Sequence, residues 1–273
     1  MAKARPIKAV DAGTSARTAL RRLTAAGAQG FSRHLTRMMT SDDIEGPHKA
    51  RVSLRRLRAT LTAFKPIIGN GLYHCHQDRL RDLSRTIGRL RDADVLAREL
   101  GLPDLVAAAA DLRTVTRAGL ARSKADRFAD RLARSYADGS WHRPGKKSKA
   151  ARKSALPPLA VKALDDIRQQ SLSHGADLTL LPEDQRHDLR KSLKLLRYLS
   201  DQFGPIWPGP LHDDFMAILA CLQDDLGRLN DLAVARARGL PSPDDPLTLA
   251  HAQTLWTRLR ACPTFWATKK PKP

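Results

Sequence analysis

Two stretches of this chain, 139 residues apart, read as one motif written twice. "HKARVSLRRLRATLTAFKPI" starts at residue 48 and "HDLRKSLKLLRYLSDQFGPI" at residue 187. Nine of the twenty aligned positions are identical: His48/His187, Arg51/Arg190, Ser53/Ser192, Leu54/Leu193, Leu57/Leu196, Arg58/Arg197, Phe64/Phe203, Pro66/Pro205 and Ile67/Ile206. The same offset, without a gap, lays "IGRLRDADV" over "LGRLNDLAV". Chance identity in so biased a composition is roughly a tenth. Two blocks sharing one offset mark an internal repeat, so the fold has to be built from one kind of unit used twice.

Apolar residues recur at spacings of three and four almost throughout, and no stretch alternates as a half-buried strand would. The expectation is an all-α protein. Breakers predict helices over about 14–39, from the "EGPHK" opening to about Phe64, over 71–99 and over 104–138; after a Gly, Pro, Ser and Lys-rich stretch at about 139–156, a linker or frayed helix start, four more follow near 157–174, 183–203, 210–238 and 245–262. The repeat divides these into two similar four-helix bundles, a first over about 14–138 and a second over about 157–262.

The formal charge is +20, carried by 33 Arg and 15 Lys against 28 acidic residues, only three of them Glu. Arginine's planar fork matches phosphate oxygens, and an excess of this size points to a polyanionic partner. Cys75, Cys221 and Cys262 lack metal-ligand spacing and read as reduced thiols of a cytoplasmic protein. "MAKARPIKAV" has no apolar stretch of the signal-peptide kind, and no apolar run is long enough to span a membrane.

The cations are not scattered. At about 100° per residue, His48, Arg51, Arg55 and Arg58 share a stripe about 80° wide, backed by Ala50, Leu54, Leu57, Leu61 and Phe64. His187, Arg190, Lys194 and Arg197 repeat it, backed by Leu189, Leu193, Leu196 and Phe203. Charged helix faces are commonly just solvated, but they normally mix signs, since like charges at these spacings destabilise a helix by a few tenths of a kcal/mol. No carboxylate relieves the first stripe, which argues for an absent anion. Arg89 and Arg228, paired by the offset, extend the basic surface. Gly88 and Gly227 sit inside helices at a cost of up to about 1 kcal/mol, which a close helix crossing would explain. Asp92 and Asp231 read as structural partners for arginines on a neighbouring helix.

"HKARVSLRRLR" followed by "IGRLRDADV", with a degenerate second copy, resembles the CHAD domain, and the resemblance spans residues 14–262. It implies two four-helix bundles related by a pseudo-twofold axis with a basic groove between them, a surface that binds inorganic polyphosphate, and association with polyphosphate granules. The second copy departs from the family pattern at Asn230 and Ala233. Some members are fused to a CYTH domain; no Glu-x-Glu-x-Lys signature is present here, so a stand-alone member is expected.

The chemistry carries less. There is no G-x-x-x-x-G-K-[ST] loop. His74, Cys75 and His76 are adjacent but do not share a helix face, and the repeat has Asp213, Asp214 and Phe215 there, so no metal site is assigned. No cofactor and no enzymatic activity are expected. The reading is a polyphosphate-binding protein in which His48, Arg51, Arg55, Arg58, His187, Arg190, Lys194 and Arg197, with Arg89 and Arg228, hold the ligand and the two copies act together. Nucleic acid bound through its phosphates is the alternative, although the stripes lack the aromatic platforms of single-strand binders; a phosphoester-processing enzyme is a third and weaker one.

Overall fold

The computed structural model describes residues 10–138, 141–237, 239 and 244–267. The described residues contain ten α-helices and no strand: α1 (Ala16–Thr40), α2 (Glu45–Phe64), α3 (Asn70–Leu100), α4 (Pro103–Arg122), α5 (Ala125–Ala137), α6 (Lys146–Lys153), α7 (Pro157–Leu172), α8 (Glu183–Phe203), α9 (Pro210–Ala237) and α10 (Pro246–Ala261). They form two compact units: the first holds Thr14–Ser154, and the second holds Val10–Gly13 with the chain from Ala155 onward. The 3-10 turns Lys65–Ile67, after α2, and Gly204–Ile206, after α8, lie at the sequence offset to the residue.

In the first unit α1 lies against α2 and α5, and α3 against α2 and α4. The N-cap of α1 is Ser15, whose Oγ accepts from the Thr18 amide at 3.3 Å. The core runs through Leu20, Phe31, Met38, Leu54, Leu57, Leu61 and Phe64, all essentially inaccessible. The close crossing is between α1 and α2: a Cβ at Gly27 would stand 2.6 Å from Leu57 Cδ2, and one at Gly46 would stand 3.2 Å from the Met38 backbone.

Two expectations are corrected in this unit. The single helix over 104–138 is two helices, broken where Lys124 adopts the left-handed conformation at φ 52°. No Gly or Pro announces the break; the Arg79 guanidinium fastens it, donating to Ser123 O at 2.7 Å. The second helix, α5, then turns Phe128, Leu132 and Tyr136 into the core. The stretch read as a linker also contains α6. Its seat is tertiary: His142 bridges to Ile68, Ser148 is buried, and Arg152 Nη1 donates to Arg143 O at 2.9 Å and Ser148 Oγ at 3.1 Å.

The second unit packs α7 on α8, α8 on α9 and α9 on α10. Leu164, Leu193, Leu196, Phe203, Leu222 and Trp256 fill its core. The chain after α10 folds back, so that Phe265 and Trp266 stack edge-on against Phe215 and Trp266 Nε1 donates to Asp165 Oδ1 at 2.7 Å. Among the described residues no helix is long and apolar enough to cross a membrane.

Candidate anion-binding site

The stripe on α2 is not a free rank of side chains; α3 holds it in place. The Arg51 guanidinium lies across Gly88, where a Cβ would stand 3.3 Å from Cζ and Nη1, and Nη1 donates to Asp92 Oδ1 at 3.2 Å. Gly88 therefore makes room for an arginine rather than for another helix backbone, while Asp92 has the expected structural role. Farther along, Arg58 Nε donates to Gln77 Oε1 at 3.2 Å; buried Gln77 returns its amide to Arg58 O at 3.0 Å and Thr62 Oγ1 at 3.1 Å. These contacts fix both guanidinium planes before any ligand arrives, so less side-chain freedom is lost on binding.

With Gly88 taken as the line of contact, Gln77, Arg81, Ser84, Arg85, Arg91, Asp92 and, in the last turn, Glu99 fall within about 60° of it on α3. Three of these are arginines outside the sequence-derived site. Their field reaches it. Burial, then Arg81, Arg55 and Arg85 hold the Arg58 guanidinium below its ordinary pKa, while Tyr73 opposes them. The His48 imidazole is likewise held below its ordinary pKa, first by burial and then by Arg91, with Arg55 and Arg51 adding and Glu45 opposing. Arg91 Nη1 is buried without a hydrogen-bond partner. Arg89 lies about 100° off the contact line and is exposed, so it does not join the stripe.

In the second unit Arg190 approaches Gly227, with Nη2 at 3.9 Å from a built Cβ, and Arg197 Nη1 donates to Gln223 Oε1 at 3.3 Å. Gln223 in turn donates to Leu193 O at 2.8 Å. The amide anchor thus recurs, two turns displaced: Gln223 is the counterpart of Ser84, and Gln77 of Met216. His187 Nδ1 meets Asn230 Oδ1 at 2.5 Å, an arrangement that places the ring proton on Nδ1, and Asn230 Nδ2 donates to Asp231 Oδ1 at 3.2 Å. Arg228 turns away from the stripe; its Nε pairs with Asp245, the N-cap of α10, at 2.5 Å.

The departure at Ala233 has a structural explanation. Its counterpart Asp94 is buried and pairs with buried Arg113, Nη2 to Oδ1 at 2.6 Å. Burial pushes the Asp94 carboxyl up against the pull of Arg113. The offset places Ala252 opposite Arg113, so both halves of the ion pair are alanine in the second unit. Asp94 is therefore a core residue and not a ligand-binding one.

"YHCHQD" dissolves in the same way. His76 is buried, its Nδ1 3.0 Å from the Tyr136 hydroxyl, while Cys75 is exposed and His74 stands edge-on to Tyr73. Among the described residues no three His, Cys, Asp or Glu side chains are placed to hold a metal ion.

The family model of the CHAD domain matches residues 25–239. The chain belongs to the CHAD domain family. The crystal structure of the CHAD domain from the plant Ricinus communis aligns with a TM-score of 0.71 at 20% identity, covering 97% of this chain and 96% of that one. PptA from Streptomyces chartreusis aligns with a TM-score of 0.56, also at 20% identity, over 91% of this chain and 95% of that one. At this identity both likenesses speak to the CHAD fold. No curated protein matches the chain.

Proposed function

We propose that this CHAD domain binds inorganic polyphosphate and does not turn it over. The observation that carries the reading is the meeting of α2 and α3: Arg51, Arg55 and Arg58 on one helix and Arg81, Arg85 and Arg91 on the other, with His48 at the head of the line. Two of the six are already oriented by Asp92 and Gln77. Six fixed cations along two packed helices suit a linear polyanion whose charges recur along its length, and arginine forks suit phosphate oxygens. Membership of the CHAD family supports the same ligand. Of the two carboxylates on the contact line, Asp92 is engaged by Arg51 and Glu99 lies in the last turn of α3, away from the arginines.

Titration calorimetry with long-chain polyphosphate tests the reading. If six cations each neutralise a phosphate, log K falls with log salt at a slope of roughly −4, taking ~0.7 per contact from single-stranded polyanions. Duplex and single-stranded DNA serve as competitors at the same salt; displacement of polyphosphate by an equal phosphate concentration of DNA sinks the assignment in favour of nucleic acid. Release of orthophosphate above the rate of a buffer blank sinks the non-catalytic half. Association with polyphosphate granules follows as an expectation, checked by co-localisation of a fluorescent fusion.

A further inference from the structure

The repeat predicts two equal binding faces, and the charges of the two units argue against that. The second unit, residues 10–13 and 155–273, carries 15 Lys and Arg against 15 Asp and Glu, a net charge of zero. The rest of the chain carries the other 33 and 13, a net +20. The whole surplus of the chain belongs to one unit.

The imbalance persists at the faces themselves, where it matters most, because screening limits each charge to about 8 Å at physiological salt. Along α3 the contact line carries Arg81, Arg85 and Arg91 with two carboxylates, Asp92 and, in the last turn, Glu99. At the corresponding places α9 has Ala220, Asp224 and Asn230, with Asp231. The α2–α3 face thus sets six fixed cations against two carboxylates, and the α8–α9 face, among the described residues, three against two. Asn230 also occupies the His187 imidazole. In the first unit α6 adds another cationic surface. Its Lys146, Lys149 and Lys153 lie about 100–160° from buried Ser148, toward solvent.

We infer that the two copies are unequal. The α2–α3 face of the first unit holds the polyanion, with Arg81, Arg85 and Arg91 as binding residues beside those of α2, and the α8–α9 face adds little affinity. This rests on the polyphosphate reading. Arg190, the residue the two faces most clearly share in position, lies against a glycine of the neighbouring helix, a place that packing alone accounts for.

The experiment uses the full chain and long-chain polyphosphate. R55Q/R85Q and R190Q/K194Q each remove two charges, from the first and second face respectively. Circular dichroism confirms the fold; should R190Q/K194Q not fold, K194Q is compared with R55Q. The first pair is expected to flatten the salt slope by about 1.4, two contacts at ~0.7 each, and the second pair by less than half of that. R127Q, an exposed arginine at the start of α5, serves as the control and is expected to leave the slope unchanged. Equal flattening by the two pairs, or more by the second, overturns the inference and leaves the polyphosphate reading standing. Flattening by R127Q as large as by R55Q/R85Q overturns it too, since diffuse charge and not a site is then responsible. Absence of polyphosphate binding by the unaltered protein removes both.

Discussion

Removing one half of the Asp94–Arg113 pair should harm the first unit more than removing both. The two side chains are only 3% and 8% exposed, and they meet at 2.6 Å. Asp94→Ala leaves a guanidinium in the core that cannot lose its proton, with only the rim carboxylate of Asp42, 3.9 Å from Nε, in reach. Arg113→Ala leaves a carboxylate there. Breaking a buried pair in this manner costs about 3–5 kcal/mol, whereas exchanging the whole pair for apolar residues is often close to neutral. The second unit already shows alanine at both places. The double variant is therefore expected to cost no more than either single, the loss that remains being a cavity, which makes the coupling about 3 kcal/mol or more.

The two singles should also part company with pH. In Arg113→Ala the stranded Asp94 has a folded-state pKa raised above its unfolded value. The folded protein then holds the extra proton between those two values, so stability is regained as pH falls through the raised pKa. Asp94→Ala has no such escape. Urea unfolding at pH 7.5 and 5.5, with hydrogen exchange of α3 and α4 peptides to localise the transition to this unit, measures all four corners of the cycle. A double variant as costly as the sum of the singles refutes the argument, and so does a pH response of Asp94→Ala equal to that of Arg113→Ala.

The glycines offer a graded comparison. Gly27→Ala should destabilise by about 1–3 kcal/mol, because its Cβ would meet Leu57 at 2.6 Å; Gly227→Ala, with only Arg190 at 3.9 Å, should stabilise by up to about 1 kcal/mol. Gly88→Ala falls between them, and because it must move the Arg51 guanidinium it should weaken polyphosphate binding, which Gly227→Ala should not; melting temperatures and calorimetry read both. His76, buried against Tyr136 and held at about 4, is neutral in the folded state, so stability should be lost as pH falls from about 6.5 toward 4, by roughly 3 kcal/mol in all, and His76→Asn should flatten that fall in urea titrations. His48 starts below its ordinary pKa and a bound phosphate raises it, so binding takes up protons and tightens as pH falls from about 8 to 6; His48→Gln should remove the trend, and equal calorimetric heats in two buffers of different ionisation enthalpy would contradict it.

The stripe on α2 could be read from sequence because four basic positions stand at helical spacing with no carboxylate among them, which favours an anion-binding face over a merely solvated one. The arginines of α3 gave no such signal. Arg81 and Arg85 each have an acidic residue three positions earlier, and the ion pairs they make, 2.9 and 3.6 Å, look like the ordinary decoration of an exposed helix. Only the packing of Gly88 on Arg51 shows which side of α3 meets the stripe. Helix α6 escaped for the opposite reason. Five cations in eight residues are a poor local argument for a helix, and what holds it, buried Ser148 and the Arg152 hydrogen bonds, is tertiary. Gly88 was legible as a site of close approach, but the sequence could not say that the approaching group is a guanidinium or that the tight helix crossing is at Gly27.

Comparing the copies also reverses a natural inference. Identity across the repeat marks His48/His187, Arg51/Arg190 and Arg58/Arg197 as a shared feature. Yet both copies must above all fold, so the residues they share are weighted toward what folding requires. Arg51 and Arg190 lie over glycines, and Arg58 and Arg197 are tied to buried glutamines whose own positions are not shared. Different anchors thus hold the same arginine in place in the two units. The differences carry the complementary information. Arginine against Ala220, Asp224 and Asn230 along the contact line changes no buried apolar residue and leaves the helix pairing intact, so packing does not demand it. The unequal faces proposed above would demand it, and they would account as well for a surplus of charge confined to the unit that carries the α2–α3 face.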